Sequence, residues 1–217
     1  MIWGLSFGLI KSLLGGVPPA WAAMIRMAVA AAVFLPFARR VPIRTGAKLF
    51  LIGMLQFGLM YLAYMRSFLY LQGHEVALFT VLTPLYVAAI HDLLRRRFNV
   101  ANQMSALLAV FAATMILWQG AAPVPLAGFF LVQLSNLCFA AGQIAYREAF
   151  AGADAPPEEH RVFFWLYLGG ATVLAPCAFL ELARGQLALN GMQTAALVYL
   201  GLVASGAGFF LWNAGAR

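Results

Sequence analysis

Long apolar runs separated by short charged segments leave this chain few ways to fold. Eight stretches, about 2–17, 20–38, 47–66, 75–94, 101–118, 125–146, 162–180 and 193–213, read as nearly continuous Leu, Ala, Phe, Val and Gly. A helix needs about 20 such residues to cross a hydrocarbon core of about 30 Å. Inside that core every backbone N–H and C=O must find its partner within the protein, which only helices and closed barrels achieve. Barrel strands would appear as segments of about ten residues alternating apolar and polar, and these runs do not alternate. The sequence therefore predicts an all-α membrane protein, a polytopic helical bundle of about eight spans with short connections. Composition agrees, at 64% hydrophobic and 10% charged with a mean hydropathy of +0.86, against roughly 25% charged residues in soluble domains.

The first run is the shortest, and Lys11 falls within it at what would be hydrocarbon depth. It does not read as a signal peptide: no basic segment precedes Ile2, Lys11 interrupts the apolar stretch, and Gly15 to Pro19 offers no small-x-small cleavage site. It is read as a first helix. Cys138 and Cys177 both lie in apolar runs and read as buried thiols.

A net charge of +7 could suggest nucleic acid, but the bases gather between apolar runs, where the positive-inside rule puts them. Arg39, Arg40, Arg44, Lys48, Arg95, Arg96, Arg97, Arg147, Arg161 and Arg217 make ten of the 14 bases, all in alternate connections or at the C-terminal end. Lys11, Arg66 and Arg184 occupy the opposite set, and Arg26 lies inside the second run. This asymmetry predicts a multi-pass inner (plasma) membrane protein with both ends of the chain cytoplasmic. The implied partner is the lipid bilayer, not nucleic acid, with homo-oligomerisation left open.

Two segments of the chain repeat each other. At an offset of 148, Gly53 meets Gly201, Gly58 meets Gly206, Tyr61 meets Phe209 and Tyr64 meets Trp212. Upstream, Pro18-Pro19 corresponds to Pro156-Pro157 at an offset of 138, and Lys11 to Arg147 at 136. Small drifts in offset are what loop insertions produce. A second copy that begins after five spans is inverted relative to the first, and inverted repeats with a substrate site near the midplane are the architecture of many secondary transporters.

The residues also resemble the EamA branch of the drug/metabolite transporter superfamily. The matching pieces are Trp3-Gly4, then Val17-Pro18-Pro19 followed by Arg26, and the stretch YMRSFLYLQGHEVALFTVLTPLYVAA from Tyr64 to Ala89. They cover most of residues 1–118, with a weaker second copy from Leu126 to Arg217. The resemblance implies ten helices in two inverted five-helix repeats, alternating access, and transport of small organic metabolites such as amino acids, amines or carboxylates, with export the expected direction. On that pattern residues 1–122 form the first repeat with five spans, and 123–217 form a second repeat with three. A fragment lacking two helices, or a non-transporting membrane scaffold, is the competing expectation.

Several polar groups lie at membrane depth. Arg26 carries a full charge, which costs roughly 2.5–3.5 kcal/mol at the centre of a span; it could hold a substrate carboxylate or bond carbonyls near a helix end. Thr80, Thr83 and Pro84 interrupt the fourth run, because Pro84 lacks an N–H and displaces the carbonyl of Thr80. Interrupted helices point to transporter sites, although a proline kink can serve packing alone. Gln56, Gln133, Asn136 and Gln143 would face the bundle interior, bonding either each other or a ligand. Asn136 and Gln143 are seven residues apart, two turns on one face, and are read as a cavity wall. Tyr61, Tyr64 and Trp212 could line the site or belong to an interfacial belt.

Catalysis finds no support. Glu75, Asp92, Glu148, Asp154, Glu158, Glu159 and Glu181 all lie at span ends or in connections, His74, His91 and His160 are isolated, and no metal-ligand spacing occurs. No enzyme activity, metal or cofactor is expected, and coupling through a buried carboxylate has no residue to use.

Overall fold

The computed structural model describes residues 2–38, 41–96, 98–117, 125–151, 158–184 and 189–215. Eight helices occur among them: α1 Ile2–Leu13, α2 Pro19–Phe34 continued by a 3-10 turn Leu35–Phe37, α3 Ile43–Ser67, α4 Gly73–Arg95, α5 Val100–Leu117, α6 Leu126–Phe150, α7 Glu159–Ala183 and α8 Gly191–Gly215. There is no strand among the described residues. Six of the helices, α2, α3, α4, α6, α7 and α8, are long and apolar enough to cross a membrane. The 12 residues of α1 reach only about 18 Å at 1.5 Å per residue. The first run ends at Leu13 and not at residue 17, because the chain turns at Gly16 with φ +84° and restarts at Pro19, pre-set for a first helical turn. Arg39, Arg40, Arg97, Asp154, Pro156, Pro157 and Arg217, which entered the charge and repeat arguments, lie outside the described residues.

Polar contacts sort the helix ends into two groups. Lys11 Nζ donates to the carbonyls of Phe68 and Leu71 at 2.9 and 3.0 Å, tying the end of α1 to the end of α3. Glu181, late in α7, accepts from the Ala20 amide at 2.8 Å and lies 3.8 Å from Arg66, so a carboxylate sits at the positive N-terminus of α2. At the opposite end Arg95 bonds Glu148 at 2.7 Å, and the Tyr146 hydroxyl donates to Glu159, joining α4, α6 and the start of α7. This is the alternation that successive passes through one layer produce.

Close backbone approaches hold the centre. A Cβ at Gly53 of α3 would stand 2.0 Å from the Leu166 carbonyl of α7, and one at Gly169 would stand 2.0 Å from the Phe50 carbonyl. On the other side of the bundle a Cβ at Gly201 of α8 would meet Val29 of α2 at 2.7 Å, and one at Gly142 of α6 would meet Gln56 of α3 at 2.3 Å. In a bilayer, where hydrophobicity does not drive helices together, such small-residue contacts supply van der Waals packing. Phe34 of α2 stacks on Phe163 and Tyr167 of α7, at 5.6 and 5.7 Å.

Both α3 and α8 change hydrogen-bond register midway, passing through π-helical segments at Met54–Leu59 and Leu200–Ala207. Shifted by 148, residues 54–59 fall on 202–207, so the two irregularities coincide at the spacing of the sequence repeat.

Candidate functional site

The buried charge sits where α2, α3 and α8 meet. Arg26 is 2% exposed. Its Nη2 donates to the Tyr61 hydroxyl at 2.8 Å, its Nε to Ser205 Oγ at 3.2 Å, and its Nη1 points at the Met65 sulfur at 3.7 Å. The guanidinium carbon also lies 4.7 Å from the centroid of the Tyr61 ring. Tyr61 and Ser205 bond each other at 2.8 Å, and Tyr167 of α7 donates to the carbonyls of Ser205 and Gly206 at 2.6 and 3.1 Å. Those carbonyls belong to the π-helical part of α8, where the shifted ladder leaves backbone acceptors for side chains. All these partners are neutral: among the described residues no carboxylate lies within ion-pairing distance of Arg26.

Aromatic side chains continue from this cation across α1, α3, α6 and α8. Tyr64 packs edge-on against Tyr61 at 5.8 Å and Phe7 at 6.1 Å. Trp3 lies 5.3 Å from Phe209 and 5.1 Å from Trp212, and its Nε1 donates to the Ala204 carbonyl in the same π segment at 3.1 Å. Phe139 of α6 closes the group against Phe209 and Trp212, at 5.6 and 6.3 Å. Trp212 is 43% exposed, so this wall opens to its surroundings on one side.

Polar groups from α3 and α6 flank the aromatics. The Gln56 amide nitrogen donates to Asn213 Oδ1 at 3.1 Å, and Asn213 Nδ2 donates to the Phe209 carbonyl at 3.0 Å. Asn136 Nδ2 donates to the Phe79 carbonyl at 2.8 Å and to Gln133 Oε1 at 3.3 Å; Gln133 Oε1 also accepts from Tyr86 at 3.1 Å. Buried Gln143 carries an amide oxygen with no partner.

The structure thus draws Arg26, Tyr64, Gln56 and Trp212 into one connected region, with Asn136 and Gln143 on the adjoining α6. Thr80, Thr83 and Pro84 lie at an interruption of α4. The helix does break there, between Thr80 and Thr83. Thr83 Oγ1 turns back to the Thr80 carbonyl that Pro84 cannot serve, at 2.7 Å, and Thr80 Oγ1 bonds Ala77 in the same way. Asn136 takes the neighbouring Phe79 carbonyl. These hydroxyls repair a kink. Tyr167 and Phe139 are not among the sequence candidates, and Phe209 enters there only as the repeat counterpart of Tyr61; a lone tyrosine in the middle of an apolar run is the available signal for Tyr167, since a buried hydroxyl needs a partner.

The pattern of the EamA-like transporter family matches residues 1–118. The chain is 39% identical over 220 residues to a protein of Escherichia coli K12 named "Biotin transporter", covering 100% of this chain and 73% of that one. It is 40% identical over 221 residues to the "Biotin transporter" of Salmonella typhimurium, with the same coverage. A crystal structure at 20% identity superposes with a TM-score of 0.69 over 99% of this chain and 77% of that chain, which bears on the fold alone.

Proposed function

The chain belongs to the EamA-like transporter family, and from that premise we propose that its cargo is biotin or a closely similar small carboxylate, anchored at Arg26. It is a multi-pass membrane transporter and not an enzyme. The observation that carries the cargo reading is the uncompensated guanidinium. A desolvated cation demands a counter-charge or polar substitutes; here two hydroxyls, a thioether and a ring face supply only neutral contacts. A carboxylate entering beside Tyr61 and Tyr64 provides the missing charge through charge-assisted hydrogen bonds, and the aromatic wall takes the apolar body of the molecule. Biotin combines those two parts. Amines lack the charge that would match, and an amino acid would bring its own cation to the same place.

Alternating access between two inverted repeats, residues 1–122 and 123–217, is the mechanism we assign. Several pairs of features support it. The π segments of α3 and α8 coincide at the offset of 148. Gly53 at the head of one packs against α7 and Gly201 at the head of the other packs against α2, so the two contacts exchange under the same relation. The charge asymmetry supports a cytoplasmic position for the ends joined by Arg95 and Glu148 in an inner-membrane protein.

Uptake of radiolabelled biotin into proteoliposomes tests the cargo. A hydrogen bond to a charged group contributes about 1.5–3 kcal/mol, so Arg26→Gln should weaken the apparent affinity by about 10- to 150-fold, and the methyl ester of biotin should not compete with biotin on the wild type. A folded Arg26→Gln protein that carries biotin with an unchanged KM would overturn the assignment.

A further inference from the structure

Among the described residues two buried side-chain acceptors lack any donor, Gln56 Oε1 and Gln143 Oε1. Both side chains are more than nine-tenths buried, at 0% and 7% exposure; Gln56 lies in the α3–α6 contact, where a Cβ on Gly142 would touch it, and Gln143 follows Gly142 on α6. The orientation of the Gln56 amide follows from its neighbour. Asn213 donates through Nδ2 to Phe209, so its Oδ1 can only accept, and Gln56 must turn its nitrogen to Asn213 and its oxygen away. A buried acceptor without a donor is costly, and two at one helix contact define a place that wants N–H groups. Phe139, one turn before Gln143, and Trp212, next to Asn213, pack against each other at 6.3 Å.

We propose that Gln56 and Gln143 form a second recognition subsite, which accepts the paired N–H donors of a cyclic urea or amide at the end of the cargo remote from its carboxylate. Gln56 and Tyr61 are five residues apart on α3, so the Gln56 amide and the guanidinium held by Tyr61 stand at different levels along one helix. A ligand that fills both places is a short-chain acid bearing a cyclic urea. The subsite deepens the transport reading and rests on it for the identity of the cargo. It makes its own demand on the ligand: an acid of the same shape without N–H groups leaves both oxygens unpaired and binds more weakly for that reason.

The test is equilibrium binding of three probes to the full chain in nanodiscs: biotin, with acid and urea; biotinamide, with the urea and no charge; and lipoate, with the acid and no N–H. Gln143→Leu should weaken biotin and biotinamide by about tenfold, the worth of one neutral hydrogen bond, and leave lipoate within about twofold. Gln56→Leu should act in the same direction, with unchanged lipoate binding showing that the fold is intact. Unaltered biotinamide binding in Gln143→Leu, an equal loss of lipoate, or a wild type that does not bind biotinamide would each overturn the subsite. Arg26→Gln separates the two readings. It should weaken biotin and lipoate and spare biotinamide; if it spares all three while the glutamine variants behave as expected, the carboxylate anchor fails and the amide subsite stands.

Discussion

Replacing Gly53 by alanine asks whether direct backbone contact between α3 and α7 sets the geometry of the bundle. The added Cβ would stand 2.0 Å from the Leu166 carbonyl oxygen, 2.6 Å from its carbonyl carbon and 2.7 Å from its Cα. Ordinary contact begins at 3.4 Å, and the obstacle is main chain, so no rotamer change relieves it. The helices must part locally by more than 1 Å, and a gap of that size forfeits about a quarter to a half of each dispersion contact across the seam. Overpacking of this kind costs about 1–3 kcal/mol, occasionally more, and the better helix propensity of alanine returns up to about 1 kcal/mol. Because Gly169 makes the reciprocal contact with the Phe50 carbonyl, the cost belongs at the upper end, for a net loss of about 2 kcal/mol. For a chain of this length that is a fall of roughly 4–8 °C in Tm. Thermal unfolding in detergent, followed by a thiol-reactive dye at buried Cys138, measures it directly. Gly8→Ala is the control: nothing lies within 4 Å of its Cβ position in α1, so only propensity acts and Tm should hold or rise. Equal melting of Gly53→Ala and Gly8→Ala would refute the close-contact account.

Two further outcomes follow from the polar contacts and the topology. Thr83→Val keeps the side-chain shape but removes the donor to the Thr80 carbonyl, and should cost about 1–3 kcal/mol in unfolding experiments; Thr172→Val, whose hydroxyl only shares the carbonyl of Leu168 within helix α7, should change stability by less than about 0.5 kcal/mol. Single cysteines at positions 40 and 161, probed with an impermeant thiol reagent in intact cells and inverted vesicles, should react from the same, cytoplasmic side; labelling from opposite sides would remove the inverted-repeat topology.

What was legible in the sequence followed from rules acting over a few residues. Apolar run length located the helices, Pro84 located the break in α4, and the matching glycines of 53 and 201 marked positions where helices touch. What was illegible depends on neighbours far along the chain. Asn136 and Gln143 share a helix face, as their spacing predicts, yet one is satisfied by the Phe79 carbonyl and the other keeps a free oxygen. That difference arises because the α4 break exposes an acceptor opposite Asn136 alone. Lys11 reads as a charge at hydrocarbon depth in the first run, and only the folded chain shows it holding two carbonyls of the turn after α3. The π segments leave no composition signature, since a register shift is chosen by what the widened turn offers to Trp3 and Tyr167.

The same reasoning explains why the charge and the irregular helix occur together. A regular α8 would pair the carbonyls of Ala204 and Ser205 along its own axis; the π register turns them outward, where Trp3 and Tyr167 take them. Ser205 is left at the crossing of α2 and α3, its hydroxyl between Arg26 and Tyr61. The cation thus bonds Tyr61 of α3 and Ser205 of α8 besides packing within its own segment, and its contact with the Tyr61 ring contributes about 2 kcal/mol or more in a desolvated place. On the proposed reading, a bound carboxylate would supply the missing counter-charge where α3 and α8 meet around Arg26, the contact that alternating access would make and break.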